Sequence, residues 1–157
     1  MKYLKWTSIL IGTISVILIC SGLYFVTQFS AVYPPMAKYH YSMNVMQLQK
    51  TIIDITNIQQ NISYQLTDTV GSNENGFAYY MNVKIKDIDA EYEYTLKYNE
   101  EKKFWKQNTS SELDIISAFD NIHKTGGYKI EGKDVKKLID IFENEIINKI
   151  EKNNTSR

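Results

Sequence analysis

A single cysteine, Cys20, in 157 residues rules out a disulfide framework within the chain. Arginine is as scarce: Arg157 stands alone, every other basic residue is lysine, and 18 basic side chains balance 18 acidic ones. Without net positive charge or an arginine-rich stripe, the chain lacks the electrostatic footprint of a nucleic-acid binder. There are two prolines, adjacent at Pro34 and Pro35, and two histidines, His40 and His123. No Gly-x-Ser-x-Gly elbow, His-Glu-x-x-His pair or glycine-rich phosphate loop occurs. No catalytic, cofactor-binding or metal-ligating residue is therefore assigned, no cofactor is expected, and an enzyme is not the primary reading.

Charge is missing altogether from one long stretch. Between Lys5 and Lys38 no residue is charged, and Trp6 to Val26 is almost continuously apolar, about the ~20 residues that cross ~30 Å of hydrocarbon as a helix. Lys2 and Lys5 precede the run and nothing basic follows until Lys38, so the positive-inside bias predicts a cytoplasmic N-terminus and an outward C-terminal domain. The expected organisation is a cytoplasmic tip over residues 1–5, a transmembrane helix over 6–30 and an interfacial linker over 31–41. An extracytoplasmic domain over 42–151 and a disordered tail over 152–157 complete it. The expectation is a single-pass signal-anchor in the inner (plasma) membrane, with the lipid bilayer as its first partner. Two other readings of the segment stay open: a signal peptide cleaved near Leu23, giving an exported protein, and acylation of Cys20 after Ile17-Leu18-Ile19.

Past the span, Tyr33, Tyr39, His40 and Tyr41 flank the prolines and suit a headgroup layer. From Ser42 to about Ile58, Val45, Leu48, Ile52 and Ile55 recur every three or four residues, the pattern of an amphipathic helix, with Met46 and Ile53 widening its apolar face. The period then becomes two. Ile62, Tyr64 and Leu66, then Met81, Val83 and Ile85, then Tyr92, Tyr94, Leu96 and Tyr98 alternate with polar residues.

Folding the first pair about Asn75-Gly76 sets Leu66 opposite Met81, Tyr64 opposite Val83 and Ile62 opposite Ile85. Folding the second about Asp87 to Ala90 sets Ile85 opposite Tyr92, Val83 opposite Tyr94 and Met81 opposite Leu96, with Lys86 meeting Glu91 and Lys84 meeting Glu93 on the other face. Both hairpins choose the same inner face. A fourth strand, Lys103 to Gln107, is expected to bring Phe104 or Trp105 beside Leu96. Capping-box patterns at Thr109 and Ser111, followed by Leu113, Ile116, Phe119 and Ile122, predict a second helix that stops at Gly126-Gly127. A third helix is expected from Asp134 to about Ile150. The fold class is thus α+β: the transmembrane helix, then an α-β4-α-α domain whose four-stranded antiparallel meander packs against three helices.

The loop opening at Asp120 invites an EF-hand reading, but its third and fifth positions are Ile122 and Lys124, which offer no carboxylate. His123 is expected in the last turn of the second helix and Asp87 and Asp89 in a solvated turn. Tyr79, Tyr80 and Lys97 are the candidate contact surface, since tyrosine buries area at low entropy cost. The expected function is an interaction or assembly module of the cell envelope, binding another membrane or envelope protein and no nucleic acid. The alternative is a membrane-tethered enzyme or small-ligand binder with a concavity between sheet and helices and carboxylates such as Asp68 or Glu112, for which converging polar groups in a pocket would speak.

Overall fold

The computed structural model describes residues 34–72, 76–100 and 110–155, with isolated positions 13, 15–17, 19 and 21 before them. The chain divides into two compact units, Met1–Val32 and Tyr33–Arg157. In the first, the described positions are helical and exposed, Val16, Ile17 and Ile19 among them. Most of the expected 6–30 span lies outside the described residues, and among those described no helix is long and apolar enough to cross a membrane.

The second unit is α+β, with a mostly antiparallel sheet and few helices. Its strands are β1 (Ala37–Tyr41), β2 (Ile62–Ser72), β3 (Gly76–Lys86), β4 (Glu91–Glu100), β5 (Ser111–Asp120) and β6 (Thr125–Gly127). They form one sheet in the order β1-β5-β4-β3-β2, with β6 also paired to β5. The helices are α1 (Val45–Ile58), α2 (Val135–Phe142) and α3 (Asn148–Thr155), the last two joined by a π-helical segment, Glu143–Ile147.

Both hairpins adopt the register that alternation dictates. Ile62, Tyr64 and Leu66 face Ile85, Val83 and Met81, and those three face Tyr92, Tyr94 and Leu96. Lys84 meets Glu93 at 3.3 Å on the opposite face. Side chains alternate along each strand, so the helix-side face carries Met81, Val83, Tyr94, Leu96, Leu113 and Ile115, all buried to completion. On α1, Val45, Leu48, Ile52 and Ile55 cover this layer while Met46 is exposed. Asn44 caps α1: its Oδ1 accepts from the Gln47 N–H at 2.8 Å and the Gln47 side chain accepts from the Asn44 N–H, a reciprocal box in which the cap is worth about 1 kcal/mol.

Several expectations need correction. Ser111–Asp120 is a strand, not a helix, and it takes the place beside β4 expected of Lys103 to Gln107: Leu96 lies opposite Ile115. Residues 101–109 lie outside the described residues. A register shift between Thr95 and Leu96 places an extra residue in β5, a bulge. The inward positions therefore run Leu113, Ile115, Ala118, Asp120, and the helical spacing of Leu113, Ile116 and Phe119 joins residues that do not share a face of the strand. Gly126 and Gly127 are strand residues of β6 and not a helix stop. Ala37–Tyr41, expected in the interfacial linker, pair with β5, and the last helix runs on to Thr155 into the expected tail. The described unit accordingly has a sheet of six strands with α1 and one long interrupted helix, in place of four strands and three helices.

The π segment has a geometric cause. Four residues of α-helix turn through about 400°, so Leu138, Phe142, Ile146 and Ile150 would drift about 40° per step around a regular helix. All four are buried to within 1%. The wider i→i+5 turn at Glu143–Ile147 takes up that drift and keeps the stripe on the sheet.

Candidate functional site

Where β5 ends, the chain turns through Asn121–Lys124 into β6 and reaches the start of α2 a few residues later. A cavity of about 330 Å³ opens there, within the size range of small-molecule sites. Its floor is Tyr92 and Leu138. Asp120, His123 and Thr125 form one wall, and Lys133, Asp134 and Lys137 the other.

Asp120 organises the turn. One carboxylate oxygen accepts the backbone N–H groups of Ile122 and His123, each at 3.0 Å, and the other lies 2.8 Å from His123 Nδ1. Burial pushes this carboxyl up, but the hydrogen bonds from the His123 backbone and ring and from Ile122 together outweigh it, so Asp120 is held below its ordinary range. With Nδ1 bonded to the carboxylate, Nε2 is the nitrogen left to meet a ligand. His123 therefore belongs to a strand-to-strand turn and not to the last turn of a helix.

The opposite wall has an unusual helix start. Asp134, the N-cap of α2, adopts a left-handed conformation (φ 62°) and makes no side-chain cap bond. Val135 N–H reaches Gly132 O and Leu138 N–H reaches Asp134 O. The Lys136 and Lys137 N–H groups between them have no partner among the described residues, although such donors are ordinarily capped. Lys133 and Lys137 have no carboxylate within ion-pair distance among the described residues. Gly126 makes the close packing possible: at φ 107° it lies so near β5 that a Cβ would meet Ala118 O at 2.2 Å.

The carboxylates considered from sequence do not line this concavity. Glu112 is on the other face of the sheet, paired with Lys38 at 2.8 Å. Asp68 is exposed on β2, accepting the Thr69 N–H. Asp87 and Asp89 lie in the β3–β4 turn, where Asp87 accepts the Ile88 N–H. His40 is on β1, 3.8 Å from Glu112. Beside them Asp114 is buried, one of its oxygens without a hydrogen bond, and burial raises its pKa despite Lys38 nearby.

Tyr79, Tyr80 and Lys97 do not share one patch. Tyr80 and Lys97 are direct cross-strand neighbours, whereas Tyr79 points to the helix side, stacked on Tyr98 with ring centroids 5.6 Å apart. Consecutive strand residues must face opposite ways. Around Tyr79 the helix-side face is left partly uncovered: Tyr64, Leu66 and Phe77 are 36%, 50% and 40% exposed, and β2 forms the sheet edge. Sequence reasoning counted Tyr64 and Leu66 as core because alternation reports the face and not how far the helices extend over it.

No family model, no curated protein and no solved structure matches this chain.

Proposed function

We propose that the chain is a single-pass, membrane-anchored protein of the cell envelope, its N-terminus cytoplasmic, whose outward α+β domain is a protein-interaction module. The anchor reading rests on the charge-free run from Trp6 to Ala37 behind Lys2 and Lys5. The module reading rests above all on the unfinished end of the sheet. Among the described residues β2 is an eleven-residue edge strand carrying one charge, Asp68, and neither lysine nor proline, two of the devices that ordinarily protect an edge from pairing; a third, a bulge, interrupts its ladder only between Leu66 and Asp68. Beside it Tyr64, Leu66, Tyr79 and Phe77 present apolar surface on the same face. An extended segment of another envelope protein, added to β2 and laying alternate apolar side chains over Leu66 and Phe77, satisfies both the open backbone and the open face.

A photo-crosslinking residue placed at Leu66 in the membrane-bound chain is expected to give a discrete protein adduct in cells. The same residue at Ile88, 95% exposed in the β3–β4 turn, is expected to give none. Equal adducts from both positions, or none from Leu66, would count against the edge as the interface.

A further inference from the structure

We propose that the strip formed by the β5–β6 turn and the chain just beyond β6, Ile122 to Lys133, docks on the anionic headgroup layer of the membrane that holds the protein. This rests on the anchor reading and is independent of the sheet-edge interface. The strip is apolar and basic at once. Ile122, Tyr128 and Ile130 each leave about half of their surface open, and Lys124, Lys129 and Lys133 stand exposed among them. In a chain whose basic and acidic residues cancel, the stretch from Asp120 to Lys137 has five lysines against Asp120, Glu131 and Asp134. Of these acids, Asp120 is already engaged by His123 and two backbone N–H groups. Exposed apolar side chains are ordinary singly. Interleaved with lysine and tyrosine, they match a headgroup layer, where alkyl stems sink and polar tips stay wet. Tyr128 is already braced there, its ring packed edge-on against Phe119 with centroids 5.3 Å apart.

The strand pairing brings this strip to the place where the chain enters the domain. β1 and β6 share one edge of β5: Ala37 lies opposite Ile115 and Gly127 opposite Ala118, about 10 Å apart along the strand. Both run antiparallel to β5, so the chain ahead of Ala37 points toward Gly127, and Tyr128 approaches the same gap from the other side. Met36 still donates its N–H to Ile115 O at 2.8 Å, but Pro34 and Pro35 have no N–H to give and precede the strand. On the anchor reading the chain from Ser30 to Pro34 extends about 14 Å at most, and the headgroup layer reaches about 5–8 Å beyond the hydrocarbon. Tyr128–Ile130, beside that entry, are thereby kept within reach of the headgroups, and the lysines complement the charge of anionic lipid.

The test uses the full, isotopically labelled chain in lipid nanodiscs that carry a gadolinium-chelating headgroup lipid, which broadens nearby amide signals. In discs of phosphatidylcholine with phosphatidylglycerol, the amides of Lys124 and Tyr128–Ile130 are expected to broaden strongly, while that of Val70, on the opposite edge of the sheet, stays sharp. Each lysine near such a surface is worth about a fivefold shift toward the docked state. Lys124→Gln, Lys129→Gln and Lys133→Gln together should therefore lower the docked-to-free ratio by about two orders of magnitude and sharpen those amides, with the rest of the spectrum unmoved. Discs of phosphatidylcholine alone should act as the triple variant does, and Lys50→Gln, on α1, should change nothing. Co-elution of chain and disc separates the two readings: a chain that elutes apart from the disc overturns the anchor and the docking together. A chain retained in the disc whose Tyr128–Ile130 amides are no broader than that of Val70, or equally broad in both lipids and in the triple variant, overturns the docking alone.

Discussion

Replacement of Tyr94 by alanine is expected to destabilise the domain by about 3–5 kcal/mol, the cost of deleting a large aromatic from a close-packed core. The side chain is fully buried, its ring lies 4.9 Å from that of Phe142, and its hydroxyl donates to Leu138 O at 2.8 Å. It thereby ties the central strand β4 to the middle of α2. Tyr94→Phe keeps the ring and loses the hydrogen bond, so about 1 kcal/mol is expected. Glu93→Ala, one residue away on the other face, should cost under about 1 kcal/mol, because its pair with Lys84 is half exposed. Thermal unfolding followed by near-ultraviolet circular dichroism gives all three values. Comparable losses for Tyr94→Ala and Glu93→Ala would show that β4 is turned over. Against a total stability of about 5–15 kcal/mol for a domain of this kind, the alanine variant should be marginal at growth temperature.

Gly126→Ala is expected to be nearly as damaging, about 3 kcal/mol or more. A side chain at φ 107° costs about 1–2 kcal/mol in backbone strain alone, and its Cβ would lie 2.2 Å from Ala118 O and 2.8 Å from Phe119 Cα. Those atoms belong to β5 and cannot swing aside as a side-chain tip would. The change should therefore push β6 off β5 and open the Asp120–His123 turn. Gly127→Ala, with nothing within 4 Å of the new methyl, should carry only the backbone strain. A Gly126→Ala chain as stable as the parent would mean that β6 does not pack as described.

The difference between what the sequence makes legible and what it hides lies in the bulges and in sequence distance. Strict alternation through Ile62–Leu66, Met81–Ile85 and Tyr92–Tyr98 states both which residues pair and which face is buried, and the two hairpins check each other. The extra residue in β5 breaks that alternation between Ile115 and Ala118, and with the period lost, Leu113, Ile116 and Phe119 imitate a helix. The β-branched pair Ile115-Ile116 is the local signal that favoured a strand. β1 was hidden for another reason: five residues beside Pro34-Pro35 become a strand only because β5 supplies the ladder. As for the cavity, Asp120 and His123 were visible as neighbours, but Tyr92, Lys133 and Lys137 join them only through the pairing of β4 with β5 and the return of α2. The free N–H groups follow from a left-handed Asp134 that its residue type permits but does not announce.

The central claim, a folded domain held on the outer side of a membrane by residues 6–30, is tested most directly by thiol accessibility. In a Cys20→Ser background, a single cysteine at Ile88, 95% exposed in the β3–β4 turn, is treated with a membrane-impermeant maleimide on intact cells and on lysed cells, after which membranes are washed with carbonate. Full labelling on intact cells, with the labelled chain retained in the washed membrane, is the expected result. Labelling that appears only after lysis, or a chain that leaves the membrane in the wash, would contradict it.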